Sequence, residues 1–174
     1  MSFNYQLSKT FYILVFILGL VQNNSCNIYS FSGTSIPSEI KTIYIEYIKN
    51  DANLIEPNLS NNLTEKLKTK CLNEAGLIWE EANPDISFSG KIKKYEINPI
   101  AIQNNETAAK NRLTISVEIT YINNIDNSKN FNQLFSDYID FDSNQNFYDE
   151  EIELNNAVGN NIIDNIFNAA FLNW

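Results

Sequence analysis

With 174 residues, 21 Asp and Glu against 12 Lys and Arg, the chain carries a formal net charge of −9, and it has no histidine. An acidic balance of this size argues against a general nucleic-acid binder, which needs a basic footprint, and against non-specific adhesion to anionic lipid headgroups. Without imidazole there is no Ser-His-Asp or Cys-His catalysis, no histidine metal site and no usual general base near neutral pH. The sequence also lacks a GxGxxG or P-loop run to cradle phosphate. Carboxylate chemistry survives these exclusions, but nothing asks for it, so the expectation is a non-enzymatic chain with no catalytic residues, cofactor or metal.

The first segment reads as an address. Lys9 precedes the apolar run Thr10 to Val21, and a short polar stretch, Gln22 to Ser25, follows. This is the order of a secretory signal. Twelve helical residues rise only about 18 Å, against the roughly 30 Å hydrocarbon core that a permanent span must cross. Ser25-Cys26 stands where a signal peptidase would cut, although Asn23 and Asn24 occupy positions where the common lipoprotein box has Leu and a small residue. Cys26 is therefore the candidate lipidation site. A diacylglyceryl group plus an amide-linked chain of palmitate type would anchor residues 26–174 more firmly than one acyl chain can. Two alternatives stay open: a disulfide to Cys71, the only other cysteine, and secretion without lipid.

The mature chain is long enough for one core and short for two, so a single domain is expected after a tether, Cys26 to Pro37. Lys41 to Ile48 (KTIYIEYI) predicts a strand with Ile43, Ile45 and Tyr47 on one side and Tyr44, Glu46 and Ile48 on the other. Beyond Pro57, Leu59, Leu63, Leu67 and Cys71 recur every four residues, which predicts an amphipathic helix over 58–75 with Gly76 as its C-terminal cap. Cys71 then sits on the apolar face as a small buried thiol. After a turn at Asn83-Pro84-Asp85, Ile86, Phe88 and Ile92 alternate with polar residues until the parity shifts to Tyr95 and Ile97, which marks a bulge near Lys93-Lys94.

Asn98 to Lys110 reads as a loop. Arg112 to Ile122 gives the cleanest strand, with Leu113, Ile115, Val117, Ile119 and Tyr121 facing in. Asn123 to Asn130 is a turn, and the aromatic stretch Phe131 to Phe141 is the next strand, of open register. A last helix over 148–172 opens on Asp149, Glu150 and Glu151 and presents Ile152, Ile162, Ile163, Ile166, Phe167 and Ala170 as its core stripe. The order β-α-β-β-β-α predicts an α+β fold of two layers: a four-stranded mixed or antiparallel sheet with two helices on one face.

Several stretches, in this order and combination, resemble the LptE (RlpB) family of lipopolysaccharide-assembly lipoproteins in its Bacteroidetes-type form. They are Cys26-Asn-Ile-Tyr-Ser-Phe-Ser-Gly-Thr-Ser-Ile36, Asn58-Leu-Ser-Asn-Asn-Leu-Thr-Glu-Lys-Leu67, Ile86-Ser-Phe-Ser-Gly-Lys-Ile92, Ala108-Ala-Lys-Asn-Arg-Leu-Thr-Ile-Ser-Val117, Phe135-Ser-Asp-Tyr-Ile-Asp-Phe141 and Ile166-Phe-Asn-Ala-Ala-Phe-Leu-Asn-Trp174. The resemblance implies four strands against two helices. It also implies a plug inside the outer-membrane β-barrel LptD that helps the barrel assemble and assists insertion of lipopolysaccharide. Asn27, rather than Asp, after Cys26 and the lack of an acidic run there favour the outer membrane, facing the periplasm.

Basic side chains are the expected readers of lipopolysaccharide phosphates, and the local concentration singled out is Lys91, Lys93 and Lys94, with Arg112 opening the neighbouring strand. The bland reading of the same residues is a strand edge guarded by lysine. Two further readings compete with the plug. One is a lipoprotein that captures an amphiphile between the open sheet face and the loop Asn98 to Lys110. The other is a hydrolase built on Asp137, Asp140 and Asp142, whose bland reading is exposed charge at a strand end.

Overall fold

The computed structural model describes residues 36–54, 56–100, 109–144 and 146–172. Cys26, the signal segment and the tether up to Ser35 lie outside these residues, as does most of the loop read between Asn98 and Lys110. Six strands form one sheet: β1 (Thr42–Ile45), β2 (Lys49–Asn50), β3 (Ile78–Trp79), β4 (Ile86–Ile100), β5 (Lys110–Asn123) and β6 (Phe131–Asp142). Among the described residues two helices, α1 (Leu59–Glu74) and α2 (Phe147–Phe171), accompany the sheet. The path across the sheet is β3-β1-β4-β5-β6, with β2 also on β4. β4, β5 and β6 are antiparallel, while β1 and β2 run parallel to β4.

The α+β, two-layer reading holds, with six strand segments instead of four. Part of the difference lies between Lys41 and Ile48. Ile45 stands opposite Phe88, whereas Lys49 stands opposite Lys91, so the strand beside β4 carries one residue more than its partner and breaks into β1 and β2. The extra residue reverses the side-chain parity that simple alternation predicts. Ile48 is buried, and Tyr47 is 50% exposed. The amide of Ile48, displaced from the ladder, donates to Thr64 Oγ1 on α1 at 3.0 Å, and that hydroxyl donates to Ser60 O at 2.7 Å. The two-residue β3 pairs with β1 and supplies the other extra segment.

β4 runs on to Ile100 and β5 begins at Lys110, so both ends of the segment read as a loop are paired strand. The parity shift near Lys93 is real. Ile92 faces Val117 and Lys94 faces Ser116, leaving Lys93 as the residue without an opposite number. All five inward residues of β5, Leu113 to Tyr121, are buried. The β5–β6 turn is built by asparagine: Asn123 Oδ1 accepts from Ile125 N at 2.9 Å and Asp126 N at 2.8 Å, and Asn130 Oδ1 accepts from Asn123 N.

On α1 the stripe Leu59, Leu63, Leu67 and Cys71 is buried as its spacing predicts, and Gly76, just past the helix, takes φ +66, a conformation that L side chains rarely adopt. On α2 one residue of the expected stripe is wrong: Ile152 is 77% exposed, and Leu154, Val158 and Gly159 are buried instead. At about 100° per residue, Ile152 has the same angular position as the buried Ala170, 18 residues further on, so helical spacing alone does not account for its exposure. Gly159 has its own reason, because a Cβ there would sit 3.2 Å from Leu63 Cδ2 on α1. The helices run in the same direction. Asn62 Nδ2 donates to Asn156 Oδ1 at 3.0 Å, Lys66 to Asn160, and Lys70 pairs with Asp164 at 2.9 Å.

Replacing Thr64 by Val keeps the volume but leaves the buried Ile48 amide without an acceptor. The expected loss is about 1–3 kcal/mol, read as a lower urea midpoint at an unchanged m value.

Candidate functional site

The helices cover one face of the sheet, so the other face and the two sheet edges are what a partner or ligand meets. β4 and β5 place Lys91 opposite Glu118 and Lys94 opposite Ser116 on the open face. In the middle of that face Ser116, itself buried, shares a hydrogen bond of 2.8 Å with Ser136 Oγ on β6. Arg112 stands opposite Asn98, four register positions from Lys94, or roughly 13 Å along the strands. The four cations singled out from the sequence therefore form a group of three and a separate arginine.

Three of the four already have a carboxylate. Lys93 Nζ lies 3.1 Å from Asp51, Lys94 Nζ lies 3.2 Å from Glu96, and Arg112 makes a two-pronged contact with Asp140 at 2.6 and 2.9 Å. Arg112 also lies over the Tyr138 ring at 3.7 Å. Lys91 faces Lys49 across β2 as well as Glu118 across β5, in the wall of a shallow cavity of about 230 Å³. β4 is an interior strand only as far as Ile92. Beyond it, among the described residues, β4 pairs with β5 alone, so Lys93 and Lys94 stand where its edge becomes bare.

The three acids of the hydrolase reading do not share one site: Asp140 and Asp142 line one cavity at the end of β6, and Asp137 lies on the other face. Asp137 takes the helix-facing parity of β6 and accepts from Asn161 Nδ2 at 2.7 Å, whereas Asp140 is on the opposite parity and engages Arg112. Cys71 is a free, buried thiol, and burial pushes its pKa up to about 12. Among the described residues there is no group of three or more potential metal ligands, and no helix is long and apolar enough to cross a membrane.

A second surface escaped the sequence reading. The rungs Asn62–Asn156, Lys66–Asn160 and Lys70–Asp164 bridge the helices, and Asn62, Lys66, Lys70, Asn160 and Asp164 line a cavity of about 760 Å³ in the outer groove. Its signal was present in the sequence as polar residues every four positions on each helix, which gain a meaning only when the helices are paired.

A profile of the lipopolysaccharide-assembly family LptE matches residues 40–170, which span the described domain almost entirely. The chain belongs to the LptE family. Among solved structures, rare lipoprotein B from Shewanella oneidensis is similar over 74% of this chain and 90% of its own, at 11% identity and a TM-score of 0.50. The minor lipoprotein from Acinetobacter baumannii covers 71% of this chain and 94% of its own, at 15% identity and a TM-score of 0.45. At these identities the likeness concerns the fold alone. Comparison with curated protein sequences returns no match.

The ion pairs make acid stability predictable. The Lys93 hydrogen bond lowers the pKa of Asp51, the backbone amides of Lys41 and Thr42 lower that of Asp85, and the Arg112 hydrogen bond lowers that of Asp140. A carboxylate with a depressed folded-state pKa adds stability above its unfolded value, about 3.9, and that stability is lost as pH falls through the folded value. Urea midpoints should therefore be flat above about pH 5 and fall below about pH 4. Asp85→Asn should be less stable at neutral pH and show a shallower acid slope. A slope identical to that of the parent would remove Asp85 as a contributor.

Proposed function

We propose that this chain is an outer-membrane lipoprotein that occupies the lumen of the β-barrel LptD, helps that barrel assemble and assists insertion of lipopolysaccharide into the outer leaflet, with no turnover of its own. The observation that carries this reading is the LptE family match over residues 40–170. Residues 1–25 serve as the signal segment, Cys26 carries the lipid, and residues 26–37 form the tether of the domain 38–174, which faces the periplasm. The partial burial of Ile36 against the core agrees with a tether that ends near there.

The chemistry of the surface supports a polar surrounding. A barrel lumen offers polar side chains to whatever fills it. This domain offers amides, hydroxyls and ion pairs on its open sheet face and along the groove between its helices. Of the four cations, Lys91 is the most available for a lipopolysaccharide phosphate: Lys93, Lys94 and Arg112 each make a direct ion pair, whereas Glu118 is the cross-strand neighbour of Lys91.

The deciding experiment is a detergent pull-down of the full-length, C-terminally tagged chain from outer membranes of its native host. Near-stoichiometric recovery of one large β-barrel after stringent washing is expected. Recovery of the lipoprotein alone, from a host shown to contain that barrel, overturns the plug reading and leaves amphiphile binding. For the lipid contact, the K91Q/K93Q/K94Q chain should retain several-fold less lipopolysaccharide on the same resin with an unchanged circular-dichroism spectrum. Equal retention would dismiss these lysines.

A further inference from the structure

The two long edges of the sheet are built differently. Where β4 becomes bare it is interrupted by the bulge at Lys93, carries Lys93 and Lys94, and contains Pro99, which has no N–H to offer. These are the devices by which proteins prevent an edge from pairing with a foreign strand. β6 has no bulge, lysine or proline, and the charges it does carry, the helix-facing Asp137 and the open-face Asp140 and Asp142, are all acidic. Its 12 residues, FNQLFSDYIDFD, include no Lys, Pro or Gly. Its register with β5 is unbroken from Lys110↔Asp142 to Tyr121↔Phe131, and among the described residues nothing pairs with its other side. In such a ladder alternate residues turn their N–H and C=O groups away from the neighbouring strand.

We propose that the outer edge of β6 takes an added strand from a cationic segment of a partner protein. Charge identifies the occupant. No Lys or Arg follows Lys129 in the chain, while eight Asp and Glu do. Between the end of β6 and α2 lies a cavity of about 410 Å³ whose wall includes Asp140, Asp142, Glu150 and Glu153; Lys110 also lines it, and Arg112 holds Asp140. A Lys or Arg of the added strand enters there. On the open face, Leu134 at 55% exposure and Tyr138 at 52% stand beside the edge and gain cover from the apolar side chains that alternate with the cations. The same charge argues against a second copy, because pairing β6 with itself brings two acidic segments together. The inference is independent of the barrel reading and holds for any protein that supplies the strand.

The test uses the full chain in detergent and three synthetic 12-residue peptides matched to the length of β6. They are alternating Lys-Val, the same peptide with its two central valines replaced by proline, and alternating Glu-Val. The Lys-Val peptide should bind at least about tenfold more tightly than the proline peptide, which has equal charge but cannot complete the ladder. It should slow amide hydrogen exchange in β6 and not along residues 93–100 of β4. The D142N/E150Q/E153Q chain should weaken that binding by about tenfold. Equal binding of both cationic peptides, no binding of either, or protection mapped away from β6 overturns the added strand. Equal or tighter binding of the Glu-Val peptide, or an unaffected triple variant, overturns the cationic occupant.

Discussion

Alternation along β5 is the constraint on which the other elements depend. Leu113, Ile115, Val117, Ile119 and Tyr121 all point to the helices and are buried, while Thr114, Ser116, Glu118 and Thr120 point to the open face. Each large apolar side chain contributes on the order of 1.5–3 kcal/mol by leaving water. A slip of one residue would reverse the whole set, so the register is strongly held. β6 follows this register without interruption. β4 cannot, and the unpaired Lys93 absorbs the mismatch, so that Ile92 and Tyr95 both remain buried. The bulge that looks like a local oddity of the lysine run is therefore a consequence of burial on one face.

The helices meet a similar limit. They lie parallel on one layer, and their approach is set on the inside by Leu63 against Gly159 and on the outside by three polar rungs. The inner contact favours a small residue at the crossing, and the rungs give the outward amides and lysines partners across the groove. Polar residues at every fourth position thus contribute to the pairing of the helices as well as to solubility.

What could be read from the sequence was what depends on near neighbours. The stripe on α1, the five inward residues of β5, the turn at Asn83-Pro84-Asp85 and the parity shift near Lys93 follow from spacing alone. The split between β1 and β2 was hidden because the group that receives the displaced Ile48 amide, Thr64, belongs to a helix formed later in the chain. Ile152 was misread because spacing along a helix gives the angle of a side chain and not whether a neighbouring element covers it at that point. The candidate site fared likewise. The four cations were visible as residues, but Asp51, Glu96 and Asp140, which engage three of them, include two brought in from other strands or turns.

The surface that results is specific about what it can adjoin. Hydrocarbon would strand the amides of the helix groove and the ion pairs of the open face, each at a cost that buried polar groups cannot recover without partners. Water tolerates them all, and so does a wall of polar side chains. The difference between the two lies in the edge of β6, where a regular row of backbone donors and acceptors lacks the lysines, proline and bulge that guard β4. An edge left open to water alone invites unwanted pairing. The acids that follow Lys129 repel a second copy of the chain while leaving the row available to a strand of opposite charge. Acidity in this half of the domain therefore does two things at once: it suppresses self-association and selects the partner.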